Sequence, residues 1–314
     1  MINVYIVSGF LGAGKTTFIN KLLNEKTFEK VMLLENEFGE VGVDSVFFSS
    51  NLNIREINNG CICCSLQGDF EDALEEIEDM GVSDLIIEPS GVGKLSEIIN
   101  VIREDDDFRI VSHICIVDIK TCRKYHQNFR EYFDDQVKAA NAVILSHVDV
   151  GSEEQLEAAV ELVRELNSEA EIITEPIEKM PIEELLDVIV AGGDILPEIE
   201  EYEHDHEHHE HHHHHDHDHH HHHDDDDDED EPFKNLILRP QHVFTTEELS
   251  SVLDTMEPDI IRVKGYINGT EGTLYFNYVL NEHHIYYGEK REDTLVSVIG
   301  TEINAERLTE VFHG

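Results

Sequence analysis

Gly9-Phe10-Leu11-Gly12-Ala13-Gly14-Lys15-Thr16 is the stretch whose reading decides the fold. It matches the phosphate-binding pattern G-x-x-x-x-G-K-[ST], directly after an apolar strand, Val4-Tyr5-Ile6-Val7, and directly before a helical run from Thr17 to Leu23. The chemistry of polyphosphate binding asks for these residue types in this order. Glycines at 9, 12 and 14 let the backbone come close to the β-phosphate, and the amides of Ala13 to Thr17 at a helix N-terminus supply partial positive charge. Lys15 neutralises the β and γ oxygens, and Thr16 offers a hydroxyl to magnesium.

Working outward, a strand–loop–helix unit of this kind belongs to an α/β protein with a mainly parallel sheet. Short apolar runs follow at Val31–Leu34, Leu85–Ile87, Ile114–Val117, Ala142–Leu145 and Glu171–Ile173, separated by amphipathic segments such as Phe70–Met80 and Glu153–Leu166. The expectation is a P-loop NTPase domain over residues 1–193, with helices on both faces of the sheet. The Leu85 run ends in Glu88-Pro89-Ser90-Gly91, which puts a carboxylate where magnesium and the attacking water need one. Lys15, Thr16 and Glu88 are therefore the candidate catalytic residues, and the Gly91 amide is placed to sense the γ-phosphate.

Residues 194–232 read as a linker. Between Glu201 and Glu231 stand 15 His and 15 acidic residues, with no Lys or Arg and only Tyr202 as a large apolar side chain, so burial cannot offset the entropy of ordering. Beyond it, residues 233–314 pattern as a small α+β C-terminal domain. Strands are expected around Leu236–Phe244, Ile260–Ile267, Leu274–Leu280 and Leu295–Ile299, with helices over Glu247–Met256 and near Glu302–Phe312. No chemistry-bearing motif stands out there, and the His283-His284 pair reads as surface.

The net charge of −47, from 69 acidic and 22 basic residues, argues against nucleic acid as a partner, because phosphate backbones need clustered cations. The tract's own acids leave most of that charge elsewhere, and cations are the expected clients. No run of 18 apolar residues offers a membrane span, and the chain start lacks the pattern of a secretory signal. With 5 Cys, three of them crowded at Cys61, Cys63 and Cys64, a reduced, cytoplasmic setting is expected.

Taken together, the first loop, Glu35-Asn36-Glu37-Phe38-Gly39-Glu40, Asn59-Gly60-Cys61-Ile62-Cys63-Cys64 and Glu88-Pro89-Ser90-Gly91 resemble the CobW family of GTPases, relatives of the hydrogenase- and urease-maturation GTPases. Ile261-Arg262-Val263-Lys264-Gly265-Tyr266 resembles the family's C-terminal domain, so the likeness covers nearly all of the chain except the linker. The resemblance implies a magnesium-dependent GTPase acting as a metallochaperone, for zinc chiefly and for cobalt or nickel in some branches, with a client metalloprotein as partner; a homodimer is compatible with it. It also implies a transition-metal site from Glu35, Glu40 and Cys63, with Cys61 and Cys64 available to complete or exchange it. Where the family usually carries N-K-x-D to read guanine, this chain has Ser146-His147-Val148-Asp149. Asp149 keeps the carboxylate that pairs with the base. The Lys that packs along it is missing, which weakens affinity or selectivity for GTP.

Thiolates beside carboxylates suit zinc, or cobalt as its mimic. The histidines from His204 to His223 suit weak, many-sited capture of metal, or alternatively a solvated spacer. Cys115, inside an apolar strand, reads as core, and Cys122 has no evident partner. Two other functions fit parts of the pattern: a metal-storage or buffering protein with a regulatory nucleotide site, and a small-molecule kinase, which has no use for the cysteine cluster.

Overall fold

In a computed structural model, residues 1–25, 28–36, 53–57, 67–193, 233–279 and 282–313 are described. The first half is built on seven strands: β1 Ile2–Gly9, β2 Val31–Asn36, β3 Asn53–Ile57, β4 Asp84–Glu88, β5 Phe108–Asp118, β6 Ala142–Ser146 and β7 Glu171–Ile173. Their order is β3-β2-β4-β1-β5-β6-β7, and every pairing between them is parallel. All the strands expected from the sequence are present. β3, which sequence reading passed over, adds an edge beyond β2.

Parallel strands bury both faces, so their residues alternate between two cores. Val4 and Ile6 of β1 point into one core, with Leu34, Leu85 and Ile87. Tyr5 and Val7 point into the other, with Leu33 and Ile86. Helices cover each side for the same reason of periodicity. α1 (Lys15–Glu25) packs Phe18, Ile19 and Leu22 on the second core, joined there by Leu185 and Ile189 of a helix over Ile182–Ile189. The first core is closed by α2 (Gln67–Asp79), α3 (Leu95–Arg103), α4 (Cys122–Asn128), α5 (Arg130–Lys138) and α6 (Glu153–Leu166). Counting in chain order, Ile182–Ile189 is α7. α6 begins where Ser152 and Gln155 form a reciprocal capping box.

The second half is an antiparallel sheet with helices on one face. Its strands are β8 Lys234–Leu238, β9 Val243–Phe244, β10 Ile260–Gly269, β11 Gly272–Val279, β12 Glu282–Gly288 and β13 Leu295–Gly300. The order is β12-β11-β10-β13-β8, with β9 pairing parallel to β10. The single strand expected over Leu236–Phe244 is two, because Pro240 has no N–H to donate to a ladder. β12 was not anticipated, its start being Glu282-His283-His284. α8 (Thr246–Leu253) and α9 (Ala305–His313) place Leu249, Leu253, Leu308 and Phe312 against Val263 and Ile267 of β10. Alternation then sends Arg262, Lys264 and Tyr266 to the opposite face. That face looks toward the first half.

The strand order reverses around β1, between β4 and β5. In an open parallel sheet this switch point, at the C-terminal ends of the strands, is where a crevice forms for a ligand.

Candidate functional site

Gly9 to Thr16 leave the end of β1 and enter α1 at that crevice. The backbone is left-handed at Gly9 (φ 141°), Gly12 (φ 76°) and Gly14 (φ 104°), conformations that side chains rarely adopt. Space restricts Gly9 as well, since a Cβ there would lie 2.5 Å from the Ile116 carbonyl oxygen. The loop is held from beneath. Phe10 packs at a tilt against Tyr125 at 4.1 Å and stacks on Phe129 at 5.5 Å, and the Tyr125 hydroxyl donates to the Leu11 carbonyl at 3.0 Å. Lys15 is buried at the start of α1, its Nζ donating to the Gly9 carbonyl at 3.0 Å.

Glu88 ends β4, which pairs directly with β2, and it sits in register with Glu35 of β2. Parallel neighbours in register share a face at a spacing of about 4.8 Å, so these two buried carboxylates stand side by side at the C-terminal edge of the sheet. The segment after Glu88 is tied on three sides. Ser90 N donates to Asn36 Oδ1 at 3.4 Å, linking it to the end of β2. Gln136 of α5, fully buried, donates through Nε2 to the Gly93 carbonyl at 2.6 Å and to the Gly91 carbonyl at 3.4 Å. A Cβ on Gly91 would meet the Leu11 side chain at 2.6 Å, so this turn abuts the loop directly.

These elements enclose a cavity of about 470 Å³, with Gly12, Lys15, Thr16 and Glu88 on one wall. The opposite wall comes from the second half of the chain, through Arg262, Lys264, Asn277 and His284. A smaller cavity of about 110 Å³, lined by Ala13, Ser146 and Asp149 among others, shares Gly14, Thr17 and His147 with the larger one. One cleft thus joins the loop to the turn after β6. In that turn His147 adopts φ 59°, and its carbonyl accepts from the amides of Val150 (3.2 Å) and Gly151 (2.9 Å). Its Nδ1 lies 3.3 Å from Asp118 Oδ1, and the bond to Asp118 holds the imidazole pKa above its ordinary value.

The cradle fits a magnesium-bound nucleoside triphosphate: left-handed glycines, a buried ammonium, a hydroxyl and a buried carboxylate converge on one cavity. Of the residues singled out from sequence, Gly12, Gly14, Lys15, Thr16, Thr17 and Glu88 line it. Gly9 and Gly91 buttress it, and Ala13 and Asp149 line the smaller extension. Glu40, Cys61, Cys63, Cys64 and the tract from His204 to His223 lie outside the described residues. Cys115 is core, as expected, and Cys122 is buried too; burial pushes the Cys115 thiol up and the Cys122 thiol to about 11, so neither is a ready thiolate.

Sequence reading missed Asp118, Arg262, Lys264 and His284. The signal for the two cations was present: a pair at i, i+2 in an otherwise apolar strand of a strongly acidic chain. The C-terminal half, expected to hold no chemistry, supplies a wall of the cleft. His283 stays out of it, 3.0 Å from Ser250 Oγ and 3.5 Å from Asp254.

Residues 3–174 match the family model described as the CobW/HypB/UreG nucleotide-binding domain, and residues 233–314 match the CobW C-terminal domain. The zinc chaperone YjiA of Escherichia coli K12 is 32% identical over 184 residues, covering 55% of this chain and 57% of the relative. The zinc-regulated GTPase metalloprotein activator 1 of Dictyostelium discoideum is 27% identical over 229 residues, covering 59% and 48%. The chain spans about half the length of the curated relatives it matches. Among solved structures, that of Zn(II)-bound YjiA GTPase from E. coli aligns with a TM-score of 0.46 at 20% identity, over 99% of this chain and 98% of that one.

Proposed function

The chain belongs to the CobW/HypB/UreG family of nucleotide-binding proteins, and from that premise we propose that it is a GTP-hydrolysing metal chaperone that delivers a transition metal, zinc foremost, to a client metalloprotein. The observation that carries the reading is the register pairing of Glu35 with Glu88. It sets a candidate ligand of the cargo metal beside a candidate ligand of magnesium, on adjacent strands that Asn36 and Ser90 also join. The names of the relatives, zinc chaperones and zinc-regulated GTPase activators, support the same assignment.

In this reading Lys15 holds the β and γ oxygens, and the amides of Ala13 to Thr17 complete the cradle at the start of α1. Thr16 and Glu88 would hold magnesium, which would supply charge neutralisation to the phosphates. Glu88 orients the attacking water, and Gly91, held by Gln136, meets the γ-phosphate through its amide. Asp149 pairs with the guanine edge. Glu35 joins Glu40 and Cys63 around the cargo, with Cys61 and Cys64 at hand for exchange, and the His204–His223 tract captures metal weakly and in bulk. Among the described residues no helix is long and apolar enough to cross a membrane, and the cytoplasm is the setting we propose.

The test is linkage. Zinc affinity, measured by chelator competition on a chain lacking residues 201–231, is expected to differ between GDP and a non-hydrolysable GTP analogue by about 5- to 150-fold. Cys63→Ser is expected to abolish the effect of zinc on nucleotide binding while leaving nucleotide binding in place. Equal zinc affinities in the two states would leave a nucleotide site and a metal site with no chaperone mechanism joining them.

A further inference from the structure

The cleft has two walls, and only one is the phosphate loop. Arg262 and Lys264 stand on the face of β10 turned away from their own domain's core, 9% and 5% exposed, and both line the 470 Å³ cavity together with Lys15 and Thr16. Strand pairing builds the wall around them. Lys264 pairs with Asn277 of β11, and Asn277 pairs with His284 of β12, so a row of three nitrogen-bearing side chains crosses the sheet. Arg262 pairs with Val279, and a Cβ on Gly12 would lie 3.2 Å from the Val279 side chain. The sheet is therefore seated on the loop at the glycine next to the phosphate cradle.

We propose that the C-terminal sheet is the second half of the phosphate site, with Arg262 and Lys264 binding the terminal phosphates of a nucleoside triphosphate in cis. The proposal rests on the reading of the cleft as a triphosphate site and adds to it a ligand set from the other domain. The charge argument favours it. Three cations on the walls of one cavity suit a polyanion lying between them. Arginine suits phosphate through its planar fork of donors, and lysine as a compact point charge. In a chain of net charge −47, a polyanion would otherwise meet a repulsive field, so basic residues gathered at this one cavity matter more than their number suggests. Asn277, whose Oδ1 lies 3.5 Å from Arg262 Nε, orients the guanidinium toward the cleft.

A consequence is that the nucleotide bridges two domains. Loss of the γ-phosphate removes an anion that both walls grip, and the contact of the C-terminal sheet with the loop weakens when GDP replaces GTP.

Two measurements on the full chain test this. In the first, a fluorescent non-hydrolysable GTP analogue and fluorescent GDP are titrated with magnesium into wild type, Lys15→Ala, the pair Arg262→Met with Lys264→Met, and the charge-keeping Lys264→Arg. The Met pair is expected to bind the GTP analogue about 10- to 100-fold more weakly, with a smaller loss for GDP, and Lys264→Arg to keep most of the affinity. A Met pair that melts like wild type and binds the analogue equally well overturns the proposal; so does an equal loss for GTP analogue and GDP. The second leaves the sequence untouched. An acyl-phosphate derivative of GTP transfers its acyl group to a lysine amine at the terminal phosphate, forming an amide and releasing GTP. Peptide mass spectrometry is expected to find both Lys15 and Lys264 acylated, and both protected by excess GTP. Acylation of Lys15 alone refutes the role of Lys264, whereas no protected lysine anywhere, together with no binding by wild type, refutes the triphosphate reading itself.

Discussion

The two ends of the cleft are built on opposite plans. At the phosphate end, left-handed glycines, buried Lys15 and buried Glu88 are packed between two domains and braced by Tyr125 and Gln136. At the base end, His147 and Asp149 sit exposed on a turn after β6, and the smaller cavity they line is about 110 Å³. Charged hydrogen bonds strengthen as water is excluded from them, so the two ends differ in what they can contribute. In the proposed reading, affinity belongs to the buried end, and discrimination to an end where solvent competes for each bond.

That contrast is open to direct attack. Lys15→Ala is expected to have the largest effect, a loss of GTP affinity of at least about 100-fold with the fold retained, measured by calorimetry alongside thermal melting. Normal binding would break the assignment of the buried end. Gly12→Ala comes next, because it strains a left-handed residue and presses on Val279 at once. It is expected to cost about 1–3 kcal/mol of stability by denaturant titration and to weaken GTP binding.

At the exposed end, Asp149→Asn is expected to reduce the preference for GTP over ATP by about tenfold while leaving triphosphate binding in place. His147→Lys, which puts the lysine of the N-K-x-D pattern in place, is expected to raise GTP affinity by a few fold. Competition titrations with the two nucleotides read both. If Asp149→Asn abolished binding as fully as Lys15→Ala, the contrast between the ends would be gone.

The smallest effect concerns the scaffold behind Gly91. Glu97, in the first turn of α3, has its carboxyl pushed up from 4.5 to about 7 by burial, against the pull of Lys94 at 3.8 Å and with a further push from Asp135. Between those values the folded chain holds a proton that the unfolded chain has lost. Stability from this group is therefore greatest below 4.5, falls as pH rises toward 7, and is flat above it. Glu97→Gln removes the dependence. The melting temperature of the variant relative to wild type is expected to climb by a few degrees between pH 4.5 and 7.5 and then level.

Much of the first domain was legible because its signals are local. Burial on both faces makes Val4–Val7, Leu85–Ile87, Ile114–Val117 and Ala142–Leu145 continuous apolar runs, and a phosphate loop is written in eight consecutive residues. β3 and β12 were missed because an edge strand buries less and carries polar residues such as Asn53, His283 and His284. Asp118 escaped notice because its role depends on the register that sets it beside Ser146. Arg262 and Lys264 were quoted as part of a resemblance and still not read as chemistry. Their function depends on which face of β10 meets the loop, a tertiary fact that no spacing within one strand carries.

The described chain leaves the first domain at Gly193, packed against the Val111 backbone, and resumes at Phe233, whose ring lies 5.4 Å from Phe129 and 5.2 Å from Tyr132. Both anchors pack on the same domain, so the points where the described chain breaks off and resumes lie on one body. Closing a loop twice as long costs only about 0.6 kcal/mol more. The number of residues between those two points, histidines included, can therefore change at little cost to the packed domains that form the cleft.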